Sequence, residues 1–201
     1  MKNYKKNFEI LKKNHVYSEE MEHDACGVGL IASTEGKKSR KIVEYGIEAL
    51  KAVWHRGAVD ADGKTGDGAG IHVEIPKDFF IEKVEVTGHT YDNSEICVGM
   101  IFLPRNDYAA QESCKTIVES ELTKNDFSIY GWRQVPVNPK VLGEKAFQTM
   151  PEIIQVLFKS NNPELLNKDL ERKIYETRRI IENKAFQISL NNFYICSLSS
   201  K

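Results

Sequence analysis

Residues 162–183, NPELLNKDLERKIYETRRIIEN, constrain the fold most. Asn162 precedes Pro163, which suits the first helical position, and Leu166, Leu170, Ile174, the Thr177/Arg178 pair and Ile181 recur along one face. A helix that is apolar on one face needs another layer to bury it. Strand-like runs around it offer that layer. ICVGMIFLP (96–104) is almost continuously apolar and of strand length, and FSIYGWRQVPV (127–137) and PEIIQVLFKS (151–160) read as further strands. FQISLNNFYICSLSSK (186–201) adds one or two more. Between them DYAAQESCKTIVESELTK (107–124) reads as a helix with Ala110, Cys114, Ile117/Val118 and Leu122 in a stripe.

The amino-terminal half continues the alternation. CGVGLIAS (26–33) is apolar and glycine-spaced, which predicts a strand approached closely by another backbone. SRKIVEYGIEALKAVWHRG (39–57) predicts a helix capped by Ser39 and stopped near Gly57. DADGKTGDGAG (60–70) is a loop, because glycine tolerates positive φ and aspartate bonds its own backbone. GIHVEIP (70–76) alternates up to Pro76 and predicts a strand. Residues 1–25 differ, with only Phe8, Ile10 and Leu11 forming a small apolar knot, and read as a leader. The two tryptophans, Trp54 and Trp132, read as core aromatics.

Composition removes several function classes. Twenty-eight Lys and Arg stand against twenty-nine Asp and Glu, so the net charge of −1 gives no electrostatic case for nucleic acid or an anionic membrane. No apolar run approaches the roughly 20 residues that cross a bilayer, and the lysine-bearing N-terminus lacks the apolar stretch of a secretory signal. Cys26, Cys97, Cys114 and Cys196 are widely separated, with no CxxC pair for zinc or redox work, which points to a reducing, cytoplasmic setting.

Cys26, in EHDACGVGLIAS, is the first candidate nucleophile. A buried small hydrophobe is the ordinary fate of a free cysteine, and no base is obvious beside it. His23 and Asp24 are close in sequence, but Cys–His pairs normally come from separate elements, and His55 serves as easily as a helix cap. TGDGAGI lacks the Gly-Lys-Ser/Thr of a P-loop and leads towards a strand. DADGKTGDG has EF-hand-like aspartate spacing, but its glycine comes too early and no closing glutamate follows. A turn with a structural or substrate-lining role is the better reading of this loop.

Taken together, YSEEMEHDACGVGLIAS, AVWHRGAVDADGKTGDGAGIHVEIP and LERKIYETRRIIE with FYICSLSS resemble the start of the glutamate synthase large subunit, its type-2 glutamine amidotransferase domain. The resemblance runs from about residue 16 to the C-terminus. It implies an α+β N-terminal-nucleophile hydrolase fold of four layers, αββα, with residues 1–25 as a propeptide and 26–201 as the amino-terminal part of the domain. It further implies cleavage between Ala25 and Cys26, so that the Cys26 α-amine becomes the base for its own thiol. An α-amine titrates at about 7.7–8.0, near working pH. Arg56, in HRG, matches the family arginine beside the nucleophile. The implied reaction is hydrolysis of L-glutamine to glutamate and ammonia.

The resemblance places FMN and an iron–sulfur cluster in the full-length enzyme, none of them in this chain, and makes the rest of the large chain and an electron-donating subunit or ferredoxin its partners. In that enzyme the ammonia is added to 2-oxoglutarate. The family's Asn-Gly oxyanion pair lies beyond Lys201, and no Asn-Gly occurs in the sequence. Oxyanion donors are each worth about 10²–10³ in rate, so the piece alone is expected to be inactive or weak, and its ending on an apolar strand suggests truncation. Two alternatives stay open: a different N-terminal-cysteine amidase, and a non-catalytic domain retained as an assembly or binding partner.

Overall fold

The computed structural model describes residues 6, 9, 10, 13, 27–54 and 57–201. The chain divides into two compact units, one holding residues up to Val59 with Gly66–Ile71, the other Asp60–Thr65 with His72–Lys201.

The first unit carries helix α1, Arg40–Ala52. Ser39 caps it as predicted, its Oγ accepting from the Lys41 N–H at 3.2 Å. Arg40 and Glu44 pair one turn apart at 3.3 Å, a geometry worth a few tenths of a kcal/mol. The helix stops at Ala52, short of the predicted Gly57, and Trp54 is 74% exposed instead of buried. Trp54 lies past the last helical residue, so helical spacing no longer directs its side chain. Residues 27–33 form no strand, and Val28 and Leu30 are 95% and 88% exposed. Residues 70–76 form none either. Alternation and glycine spacing mark a chain able to pleat, whereas a strand exists only when a neighbour pairs its N–H and C=O groups. Among the described residues neither run has such a neighbour.

The second unit is built on a four-stranded antiparallel sheet of order β2-β3-β1-β4, with β1 Cys97–Leu103, β2 Phe127–Gln134, β3 Glu152–Ser160 and β4 Tyr194–Ser199. Strand β1 is central because it can be buried on both faces. Cys97, Ile101 and Leu103 face helices α3 (Tyr108–Lys124) and α5 (Asn167–Gln187), where they meet Cys114, Val118, Leu122, Leu170, Ile174 and Ile181. Val98 faces the other way, joining Leu157, Tyr130 and Ile96 against Phe80 and Val84 of helix α2, Lys77–Val86. Trp132 packs partly buried on the helix-side core, and its Nε1–H donates to Glu119 at 2.6 Å.

Helices α3 and α5 are joined by a buried carboxylate. Glu121 of α3 receives Lys184 of α5 at 2.6 Å and Lys124 at 3.1 Å, and the Lys184 hydrogen bond, first among several, holds its carboxyl below the usual range. The start of α5 differs from expectation. Asn162 does accept from Glu164 N–H at 2.9 Å, but it shapes a turn, and the helix begins at Asn167. Two bulges bend the sheet, at Ile129/Gly131 of β2 and at Met100/Ile101 of β1 opposite β4. The first lets Tyr130 turn into the α2 side, where its hydroxyl donates to Asp92 at 3.0 Å. Gly131 sits there at φ +144°, a value that favours glycine.

The observed class is therefore mixed α+β with one antiparallel sheet in the described residues. A short 3₁₀ turn at Pro139–Val141 and helix α4, Glu144–Thr149, complete the second unit.

Candidate functional site

Cys26 and Arg56, the two predicted catalytic residues, lie outside the described residues, as do His23, Asp24 and His55. What is described is the chain immediately following Arg56. In the first unit, Gly57 N–H donates to Trp54 O at 3.0 Å, and Ala58 N–H donates to the Asp67 carboxylate at 2.9 Å. Val59 and Gly66 form an antiparallel bridge. Ala58–Val59 and Gly66–Asp67 thus lie side by side in the first unit. Gly68, at φ +93°, turns the chain away after Asp67.

The intervening loop belongs to the second unit. Asp60 N–H donates to Thr65 O at 2.8 Å, and Gly63, at φ +68°, donates to Asp60 O at 2.9 Å. The Asp62 carboxylate accepts from the N–H groups of Lys64 and Thr65 at 2.9 and 2.7 Å and from the Thr65 hydroxyl at 2.5 Å. The backbone of Glu144 in α4 lies close enough to add a smaller pull in the same direction. The Thr65 hydroxyl leads these donors, which together hold the Asp62 carboxyl well below the usual carboxylate range. Thr65 Oγ1 in turn accepts a long bond, 3.5 Å, from Ala146 N–H, and Lys145 Nζ lies 2.6 Å from Asp60. A Cβ on Gly143 would stand 2.6 Å from the Thr65 nitrogen, so only glycine admits the loop at this distance.

The turn is legible in the sequence, and its docking is not. Asp-x-x-Thr is a recognisable self-bonding turn; its partner, 81 residues on at Ala146, leaves no mark in local spacing.

Cys97 and Cys114 do not resemble activated thiols. Both are buried, and desolvation pushes the Cys114 thiol up to about 11 and that of Cys97 higher still. Cys196 is exposed on β4. Among the described residues no group of three or more His, Cys, Asp or Glu side chains could hold a metal ion. No helix among them is long and apolar enough to cross a membrane.

The comparison with known families decides the membership. The model for class-II glutamine amidotransferases matches residues 26–201, beginning at Cys26. The chain belongs to the class-II glutamine amidotransferases. Within that family it is 52% identical over 198 residues to the glutamate synthase [NADPH] large chain of Azospirillum brasilense, covering 98% of this chain and 13% of that protein. It is 37% identical to the chloroplastic ferredoxin-dependent glutamate synthase 2 of Arabidopsis thaliana, over 96% of this chain and 12% of the relative. The ferredoxin-dependent glutamate synthase of Pyropia yezoensis is 39% identical, over 94% and 12% respectively. The chain therefore spans only a small part of the length of these relatives.

Proposed function

We propose that this class-II amidotransferase chain is the glutaminase part of a glutamate synthase large chain. The supporting observation is that the family match starts at Cys26 itself, while 52% identity to a glutamate synthase large chain extends over nearly the whole sequence. Residues 1–25 act as a propeptide. Before their removal the Cys26 nitrogen is an amide and cannot accept a proton. After it, the α-amine takes the thiol proton directly or through water, as in enzymes with an N-terminal threonine.

The Cys26 thiolate attacks the side-chain amide carbon of L-glutamine. The tetrahedral intermediate expels ammonia, which carries the proton returned by the amine, and leaves a γ-glutamyl thioester. Water then cleaves the thioester to glutamate and regenerates the thiol. Arg56 arranges the site beside the nucleophile. The complete architecture is the four-layer αββα sandwich, in which the described sheet forms one of the two β layers. The ammonia passes to 2-oxoglutarate elsewhere in the large chain, and FMN, the iron–sulfur cluster and contact with an electron-donating subunit or ferredoxin belong to that remainder. The setting is cytoplasmic.

Intact mass before and after exposure to a glutamine-mimicking diazoketone tests this reading. Loss of residues 1–25 with one adduct on Cys26 would support it and show that the piece forms a glutamine-recognising site without the rest of the large chain. An uncleaved chain without adduct would overturn it for the isolated piece and favour a non-catalytic assembly role.

A further inference from the structure

Phe79, in the first turn of α2, carries two cations against its ring. Lys83 Nζ, one turn along the helix, lies 5.0 Å from the ring centroid, and the Arg133 guanidinium of β2 lies 5.1 Å from it. The quadrupole of an aromatic ring attracts and orients such cations. Elsewhere in the second unit half-buried cations have carboxylates: Lys159 pairs with Asp92, Lys184 with Glu121 and Arg178 with Glu182. Lys83 and Arg133 are half-buried too, and among the described residues neither has one.

Arg133 is also fixed from the sheet. Its Nη1–H donates to Gln155 Oε1 at 2.6 Å, across the β2–β3 pair in which the two residues sit opposite each other. Gln155 is 7% exposed and shares the α2 side of the sheet with Leu157. A guanidinium only donates, so Gln155 must spend its oxygen there, and its amide is left with the NH2 group. What these three side chains have left to offer is donors alone: the other guanidinium N–H groups, the amide NH2 and the Lys83 ammonium. The surroundings are apolar. Met100 of β1 is the register partner of Gln155 on the same face. Two residues on, Phe102 meets the Tyr194 ring at 5.9 Å, and Tyr194 is 57% exposed. A guanidinium held in one plane presents paired N–H groups that match the two oxygens of a carboxylate.

We propose that Arg133, Gln155 and Lys83 form a binding site for a small organic carboxylate, its oxygens on the guanidinium and amide and its hydrocarbon part against Phe79 and Met100. Every residue of the site belongs to the second unit. The apolar flank favours an anion with a carbon chain over inorganic phosphate, which gains from the charge but not from the wall.

Titration of the full 201-residue chain with butyrate, followed by nuclear magnetic resonance at the Arg133 Nε–H and Gln155 NH2 groups, tests this. Butyramide, which has the same shape without the charge, is one comparison; inorganic phosphate and chloride at matched ionic strength are the others. The expected result is a saturable shift of both resonances with butyrate, none with butyramide or chloride, and weaker binding of phosphate. Arg133→Met should weaken butyrate binding at least about tenfold, the scale of a lost charge-assisted hydrogen bond. Lys83→Met should weaken it about two- to fivefold, the scale of an exposed charge pair. Gln155→Glu supplies the site with a carboxylate of its own and should abolish binding. Equal shifts from butyramide would overturn the site as mere apolar contact, and equal shifts from phosphate or chloride would reduce it to an adventitious ion only. Wild-type affinity in Arg133→Met would overturn it as well. Should that variant fail to fold, Lys83→Met and Gln155→Glu decide, and unchanged butyrate binding in either rejects the site.

Discussion

Replacing Gly99 by alanine tests the packing of the central strand. Gly99 lies in β1 between Val156 of β3 and Leu198 of β4, on the side covered by α3 and α5. An added Cβ would meet Val156 Cγ1 and Leu198 Cδ1, each at 2.6 Å. Ordinary carbon contacts lie at about 3.5–4.0 Å, so each neighbour must retreat by roughly 1 Å. Val156 is fully buried in an inner strand and stiff at χ1, which closes its easy escape. Leu198 can rotate only against the same core. Two side chains pushed off their rotamers cost about 0.5–1.5 kcal/mol each, giving about 1–3 kcal/mol, the range found for overpacked cores. Urea denaturation followed by circular dichroism measures this as a lowered midpoint at constant slope. The double variant Gly99→Ala/Leu198→Ala adds the decisive check. Leu198→Ala makes room for the new methyl, so the pair is expected to lose less stability than the two single changes summed. An unchanged midpoint in Gly99→Ala, or strict additivity in the double variant, would refute the close-approach argument.

Three further outcomes follow from the same contacts. Ile174→Ala, at a fully buried position facing both α3 and the sheet, is expected to cost about 2–5 kcal/mol in the same denaturation assay. Asp92 is held below the usual carboxylate range, chiefly by the Lys159 hydrogen bond and then by Ser94. Its ionised form therefore stabilises the fold above the unfolded value of about 3.9, and that contribution fades as pH falls through the lower folded value. The stability gap between wild type and Asp92→Asn should hold steady from about pH 7 to 5 and shrink below about pH 4. Among Cys97, Cys114 and Cys196, a disulfide reagent at mildly alkaline pH should modify Cys196 first, because burial raises the other two thiols; peptide mapping reads the order.

Much of the second unit was legible because its elements announce themselves locally. Strand β1, helix α3 and the Leu170, Ile174, Ile181 stripe of α5 follow from apolar spacing; in the first unit, Ser39 follows from the chemistry of a helix cap. Helix α2 escaped because Phe79, Phe80, Ile81, Val84 and Val86 scatter around its axis and leave no clean stripe, although only Phe80 and Val84 are buried. Helix α4 is six residues long and shows less than two turns of periodicity. The strands expected at 26–33 and 70–76 failed for another reason: pairing is decided by a neighbour, and a sequence segment does not carry its neighbour with it. The candidate site was legible by kinship more than by chemistry. Nothing in the spacing around Cys26 supplies a base, and the role proposed for it rests on a family match beginning at that residue.

The strand order carries a consequence for synthesis. Strand β1 pairs with β3 and β4 and not with the strand made directly after it. As the chain leaves the ribosome, Val98, Ile101 and Leu103 must wait for residues 152–160, and the second flank of β1 is paired only when Tyr194–Ser199 arrive. At about 5–20 residues per second, that interval is roughly 5–20 s. Throughout it the most apolar strand of the unit has an open flank, so nascent-chain binding by holdase chaperones should concentrate on residues 96–104 and end as β4 emerges.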